Sequence, residues 1–176
     1  MEKILFSEEQ RFNQWTIWLL LIVVSSATVV PLFMGIRSQL VLDGASANDP
    51  MSAGGLIVTG VFSVLMILFI FLVLARIRLR TKITIEALYV SYYPLARKWI
   101  KFVPDEIEKF QIRTYRAKRE YGGYGMKRRR RSGQAYTISG KEGLQLYLKN
   151  GKKILIGTQK KQAIEYAMRK LMEGEE

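Results

Sequence analysis

The chain has 176 residues and contains no cysteine and no histidine. No disulfide can form, no Cys/His zinc site is available, and neither thiol nor imidazole can serve catalysis. Acidic groups are scarce as well: 15 Asp/Glu stand against 28 Lys/Arg, giving a formal net charge of +13. Asp105, Glu106 and Glu108 cluster at a strand start, where Asp105 supports the turn after Pro104. Nothing nearby signals the cleft that a paired-carboxylate hydrolase requires. The composition implies a non-catalytic protein with no metal and no cofactor.

Charge is also missing from two long stretches. Residues 15–36 read WTIWLLLIVVSSATVVPLFMGI, and residues 54–75 read GGLIVTGVFSVLMILFIFLVLA, with no Asp, Glu, Lys or Arg in either. About 22 helical residues at ~1.5 Å each cover the ~30 Å hydrocarbon core of a bilayer. Trp15 and Trp18 suit an interface, and Pro31 lies near the other end of its run, where a kink is tolerated. The first run is too long for the apolar part of a signal peptide, and the preceding MEKILFSEEQRFNQ is acidic rather than basic. Both runs are therefore expected to span. With no ionisable group inside them, they read as an anchor rather than an ion or proton path. Small residues such as Ser25, Ser26, Ala27 and Gly60 permit close helix approach, although no GxxxG occurs. Residues 1–14, with Phe6 and Phe12 among polar neighbours, are expected to form a short interfacial helix.

The linker 37–53 holds a single cation, whereas Arg76, Arg78 and Arg80 follow the second span directly. By the positive-inside tendency the linker lies outside and both termini are cytoplasmic. Residues 76–176 carry 25 Lys/Arg against 10 Asp/Glu, and the first 75 carry 3 against 5. The whole positive excess is in the C-terminal part, which implies an anionic partner.

In that part the pattern turns to short alternating segments: TKITIE, LYVSYY, RKWIKFV, IEKFQIRTY, QAYTIS, and the pair GLQLYLK and KKILIG around Asn150-Gly151. Asn-Gly suits a two-residue type I′ turn, which pairs Lys149 with Lys152 and sets Leu146 opposite Leu155. Ala163, Ile164, Ala167, Met168 and Leu171 then recur at helical spacing, so residues 158–173 are expected to be a helix with Thr158 as N-cap. The predicted domain is about seven antiparallel strands in a bent sheet or barrel, closed by one C-terminal helix.

The segments FSEEQRFNQW, VPDEIEKFQIRTY, YGGYGMK and SGKEGLQLYLKNGKKILIGTQ give the whole chain a resemblance. It resembles small bacterial membrane proteins that carry a bacterial PH-like domain after two spans. The resemblance implies a helical hairpin in the bacterial inner membrane plus an α+β PH-like domain at residues 76–176. It implies no catalytic residue.

One stretch stands outside the expected fold. In YGGYGMKRRRR, residues 121–131, Gly122, Gly123 and Gly125 match neither a Walker loop nor a dinucleotide fingerprint, and they read as loop-shaping residues. Lys127, Arg128, Arg129, Arg130 and Arg131 form a loop of like charges that stays solvated or meets an anion. With Arg76, Arg78 and Arg80 they are candidate contacts for anionic lipid, as one basic surface facing the bilayer. The expected function is a membrane-anchored binding or scaffolding protein that engages a protein partner, a second copy or anionic lipid. The alternatives are an accessory subunit of a larger membrane complex and a membrane-tethered RNA-binding module. Nucleic acid is disfavoured because RNA recognition normally adds an aromatic stacking platform, for which only Tyr121 and Tyr124 are at hand.

Overall fold

The computed structural model describes residues 3–12, 15–41 and 53–174. The chain divides into two units, residues 14–75 and residues 1–13 with 76–176.

The first unit is a pair of helices, α1 (Trp15–Val41) and α2 (Ala53–Ala75). No Gly or Pro follows Ile36 before Gly44, and α1 continues past the expected end. Residues 42–52 of the expected linker lie outside the described residues. Both helices are long and apolar enough to cross a membrane, over Ile17–Arg37 and Gly54–Ala75. They are apolar on all sides, and no residue of either span is fully buried within the chain. Hydroxyls of Ser25, Ser26, Thr28 and Ser63 bond to their own helix: Ser25 donates to the Leu21 carbonyl (2.6 Å) and Ser63 to that of Thr59 (2.8 Å). Trp18 and Phe71 meet with ring centroids 4.9 Å apart.

The second unit begins with a departure from expectation. Residues 4–11 are not an interfacial helix but a strand, β1 (Ile4–Arg11). Phe6, Glu8 and Gln10 face inward while Ser7, Glu9 and Arg11 face out. Two of the three inward residues are polar, which hides the period of two. β1 pairs with β2 (Arg78–Thr84), and β3 (Leu88–Tyr93) and β4 (Ala96–Phe102) complete an antiparallel sheet in the order β1-β2-β3-β4. The two apolar helices are thus inserted between adjacent strands of one sheet.

A second sheet follows, built from β5 (Ile107–Thr114), β6 (Gly125–Arg129), β7 (Gly133–Thr137), β8 (Glu142–Leu148) and β9 (Lys153–Gly157). Its order is β5-β8-β9-β7-β6. All its pairs are antiparallel except β7 with β9, which run parallel. Among the described residues the outcome is nine strands in two open sheets, not about seven in one bent sheet or barrel. The additional strands are β1 and β6, the second lying inside the basic run.

The β8–β9 turn also differs from the type I′ expectation. Leu148 N–H donates to the Lys152 carbonyl (2.9 Å) and Gly151 N–H to that of Leu148 (2.8 Å), leaving a three-residue turn with Gly151 at φ 77°. Left-handed backbone at the third turn residue makes a G1 bulge and moves the register by one. Leu146 therefore faces Ile154, and Leu155 faces Gln145.

α3 (Lys161–Glu173) lays Ile164, Ala167, Met168 and Leu171 on a core that includes Leu79, Ile83, Val90, Leu144, Leu146 and Ile156. It starts later than expected because Thr158 is occupied otherwise. The Thr158 hydroxyl donates to Glu8 Oε2 (2.7 Å) and accepts from Lys160 N–H (3.0 Å). Gln159 N–H and Gln10 Nε2 donate to Glu8 Oε1 (2.8 and 3.1 Å), and Gln10 Nε2 also donates to the Gly157 carbonyl (2.8 Å). Glu8 is only 7% exposed, so this carboxylate from β1 takes three donors and ties the first sheet to the end of the second.

Candidate functional site

Residues 121–131 resolve into three parts with different roles. The segment from Tyr115 to Tyr124 folds over the outer face of the second sheet and forms a small second core of Tyr115, Ala117, Tyr121, Ala135 and Leu155. A single wide helical turn, Ala117–Tyr121, ends at Gly122, whose φ of 79° lets its own N–H and that of Gly123 reach back to the Lys118 and Ala117 carbonyls (3.1 and 2.9 Å). Gly123 and Gly125 also take positive φ. The Tyr121 hydroxyl donates to the Ser132 carbonyl (3.1 Å), and the Tyr124 hydroxyl to that of Gly140 (3.0 Å).

Arg113 clamps this segment from β5. Its guanidinium donates to Gln145 Oε1 (3.1 Å) and to the Tyr121 hydroxyl (3.3 Å), and pairs with Glu120 Oε2 at 2.8 Å. Burial pushes the Glu120 carboxyl up, but the Arg116 N–H and the Arg113 guanidinium outweigh it and hold it below its usual range. Burial raises the Tyr121 phenol. The tyrosines and glycines are thus committed to covering the sheet.

The cations have no such partners. Lys127, Arg128 and Arg129 lie in β6, and Arg130 and Arg131 in the turn to β7, so the expected loop is a strand and its hairpin tip. Parallel pairing of β7 with β9 sets Gln134 beside Ile154, which brings the residues before β7 next to the residues before β9. Those before β9 are Gly151, Lys152 and Lys153. Arg128, Arg129, Arg130, Arg131, Lys152 and Lys153 thereby line one hollow of about 700 Å³ with the Gly133 and Gly151 backbone. No acidic residue lines it, and among the described residues none of the six cations forms an ion pair. Lys127 is not among the lining residues. Gly133 permits the approach: at φ 81°, a Cβ there would stand 2.8 Å from the Lys153 carbonyl carbon.

Lys152 and Lys153 escaped sequence reasoning because they flank a different hairpin, and only the parallel pairing joins the two. The juxtamembrane arginines are not brought to this hollow. Arg78 and Arg80 both bind Glu9 on the outer face of the first sheet (3.1 and 2.9 Å), beside Arg11 at 3.2 Å. Burial acts upward on Glu9, but Arg80, Arg11 and Arg78 together lower it below its usual range. Arg76 is exposed just before β2. The hollow lies at the Lys153 end of β9, about 13 Å along the strand from Gly157. Gly157 is the residue that meets Gln10 of β1.

The fold and site together describe two apolar helices of membrane-spanning length inserted into a two-sheet α+β domain with a concave basic surface. No protein-family model and no curated protein matches the chain.

Proposed function

We propose that the chain is a membrane-anchored, non-catalytic scaffold of the bacterial inner membrane with both termini in the cytoplasm. Its PH-like domain takes an acidic, extended segment of a partner protein into the basic hollow. The observation that carries this reading is the set of six cations without a neutralising acid in one concave surface. Such a cluster repels itself until an anion enters. β6 is an edge strand of its sheet, so a partner segment can add to it by backbone hydrogen bonds while its carboxylates meet the arginines.

One feature disfavours RNA as the anion. The aromatic side chains that an RNA platform would use, Tyr121 and Tyr124, are bonded into the covering segment.

The test uses the full chain in discs of neutral lipid, titrated with a fluorescent peptide of alternating Glu, its Gln counterpart, and single-stranded RNA. The expected result is binding of the Glu peptide that weakens with salt and is lost in Arg130→Gln/Arg131→Gln/Lys152→Gln. Tighter binding of RNA than of the peptide, or binding that appears only in discs of anionic lipid, would overturn the reading.

A further inference from the structure

A second surface lies at the other end of the domain, and it fits a different partner. Arg11 pairs with Arg78, and Arg78 with Tyr93, so these residues form one row across β1, β2 and β3. The chain reaches α1 at Trp15 and leaves α2 at Ala75. Fully extended, the connections from Arg11 and Arg78 to those ends span at most about 14 and 11 Å. Beyond Tyr93 comes the β3–β4 tip, Pro94 and Leu95. Leu95 is 71% exposed, more than any other large hydrophobic side chain described in the domain. Arg97 places its guanidinium 5.3 Å over the Tyr93 ring. Trp99, half exposed, follows on the outer face of β4 and meets Tyr89 edge-on at 6.5 Å.

An isolated leucine on a surface needs no explanation. This one sits between a tyrosine and an arginine, at the end of the sheet from which both helices depart. Tyrosine and tryptophan prefer the headgroup level of a bilayer, and an arginine beside them can reach lipid phosphate. We propose that the β3–β4 tip is a lipid-contacting lip. Leu95 and Tyr93 enter the interfacial region of the bilayer that α1 and α2 cross, and Arg97 binds an anionic headgroup. The lip rests on the reading of α1 and α2 as spans. It anchors one end of the first sheet at the interface, while the basic hollow belongs to the second sheet.

The absence of cysteine makes the test direct, because a single introduced thiol is the sole labelling site. Leu95→Cys, Ile85→Cys and Phe62→Cys carry an environment-sensitive fluorophore in the full chain, reconstituted in vesicles with and without anionic lipid and with lipid-borne quenchers. Ile85 lies beside Thr84, at the end of the sheet away from the Arg11–Arg78 row, and Phe62 lies within α2. The expected result is a blue shift and loss of intensity at position 95 with shallow quenchers, a water-like signal at 85, and quenching at 62 with deep quenchers. Adding Arg97→Gln should reduce the shift at 95 only where anionic lipid is present. Quenching at 62 with a water-like signal at 95 overturns the lip and leaves the spans standing. No quenching at 62 removes the spans and the lip together.

Discussion

Lys152→Gln should stabilise the protein, and Coulomb's law at the spacing of strand residues sets the size of the effect. Repulsion among Arg128–Arg131 exists in the unfolded chain as well as the folded one. Repulsion between Lys152 and those arginines exists only once β7 and β9 have paired. Two unit charges about 7 Å apart, the spacing of alternate strand residues, repel by about 0.6 kcal/mol at a dielectric constant of 80. Counting three of the four arginines at that spacing, screening leaves about 1.4 kcal/mol at 0.01 M salt, about 0.9 at 0.1 M and about 0.2 at 1 M. The Lys152 backbone contacts to Leu148 and Asn150 are untouched by the substitution. Thermal unfolding of the full chain in neutral detergent, followed by circular dichroism, should show a midpoint raised by several degrees at low salt, about 4–8 °C per kcal/mol for a domain of this size. The gain should vanish at high salt, and Lys152→Glu should roughly double it. A variant that is less stable than the parent, or equally shifted at every salt concentration, would mean that the lysine is already neutralised and the hollow is not a charged vacancy.

Gly133→Ala should cost about 1–3 kcal/mol, because it adds a Cβ against the Lys153 carbonyl in left-handed backbone, and it should also weaken peptide binding by parting β7 from β9. Glu8→Ala should be among the most damaging single changes, at about 2–4 kcal/mol by denaturant unfolding, since three donors lose a buried acceptor. Thr158→Val should cost about 2–3 kcal/mol, because the bond to Glu8 and the bond from Lys160 N–H are both lost. The Glu120 carboxyl is lowered from 4.5 in the folded state, so its contribution is present above the unfolded value and is lost as pH falls through the folded one. Unfolding of the parent should therefore steepen below about pH 4.5, and Glu120→Gln should be less stable at neutral pH with a flatter acid limb.

Runs of apolar residues and alternation of apolar with polar residues carried most of the fold. The two long helices, β2 to β5, β7 to β9 and the core face of α3 all follow from such patterns. β1 was hidden because its inward positions include Glu8 and Gln10, whose burial makes sense only beside Thr158 and Gly157. β6 was hidden because five cations look like a solvated loop, although the first three continue a strand that Gly125 and Met126 begin. The register of the β8–β9 hairpin turned on whether Asn150-Gly151 made a two-residue or a three-residue turn. That choice is set by backbone geometry at one glycine. The arginine run was plain in the sequence, but its concave form was not. A parallel pairing between strands that are not consecutive creates it, and no local signal announces such a contact.

The most direct test of the account is crosslinking inside cells from a photoreactive residue at Gln134, which lines the hollow but carries no charge. The expected product is a protein adduct whose attached segment is rich in Asp and Glu, absent from the Arg130→Gln/Arg131→Gln/Lys152→Gln variant and from a control position at Tyr166 on α3. Adducts confined to lipid or RNA, or a protein adduct indifferent to those three charges, would contradict it.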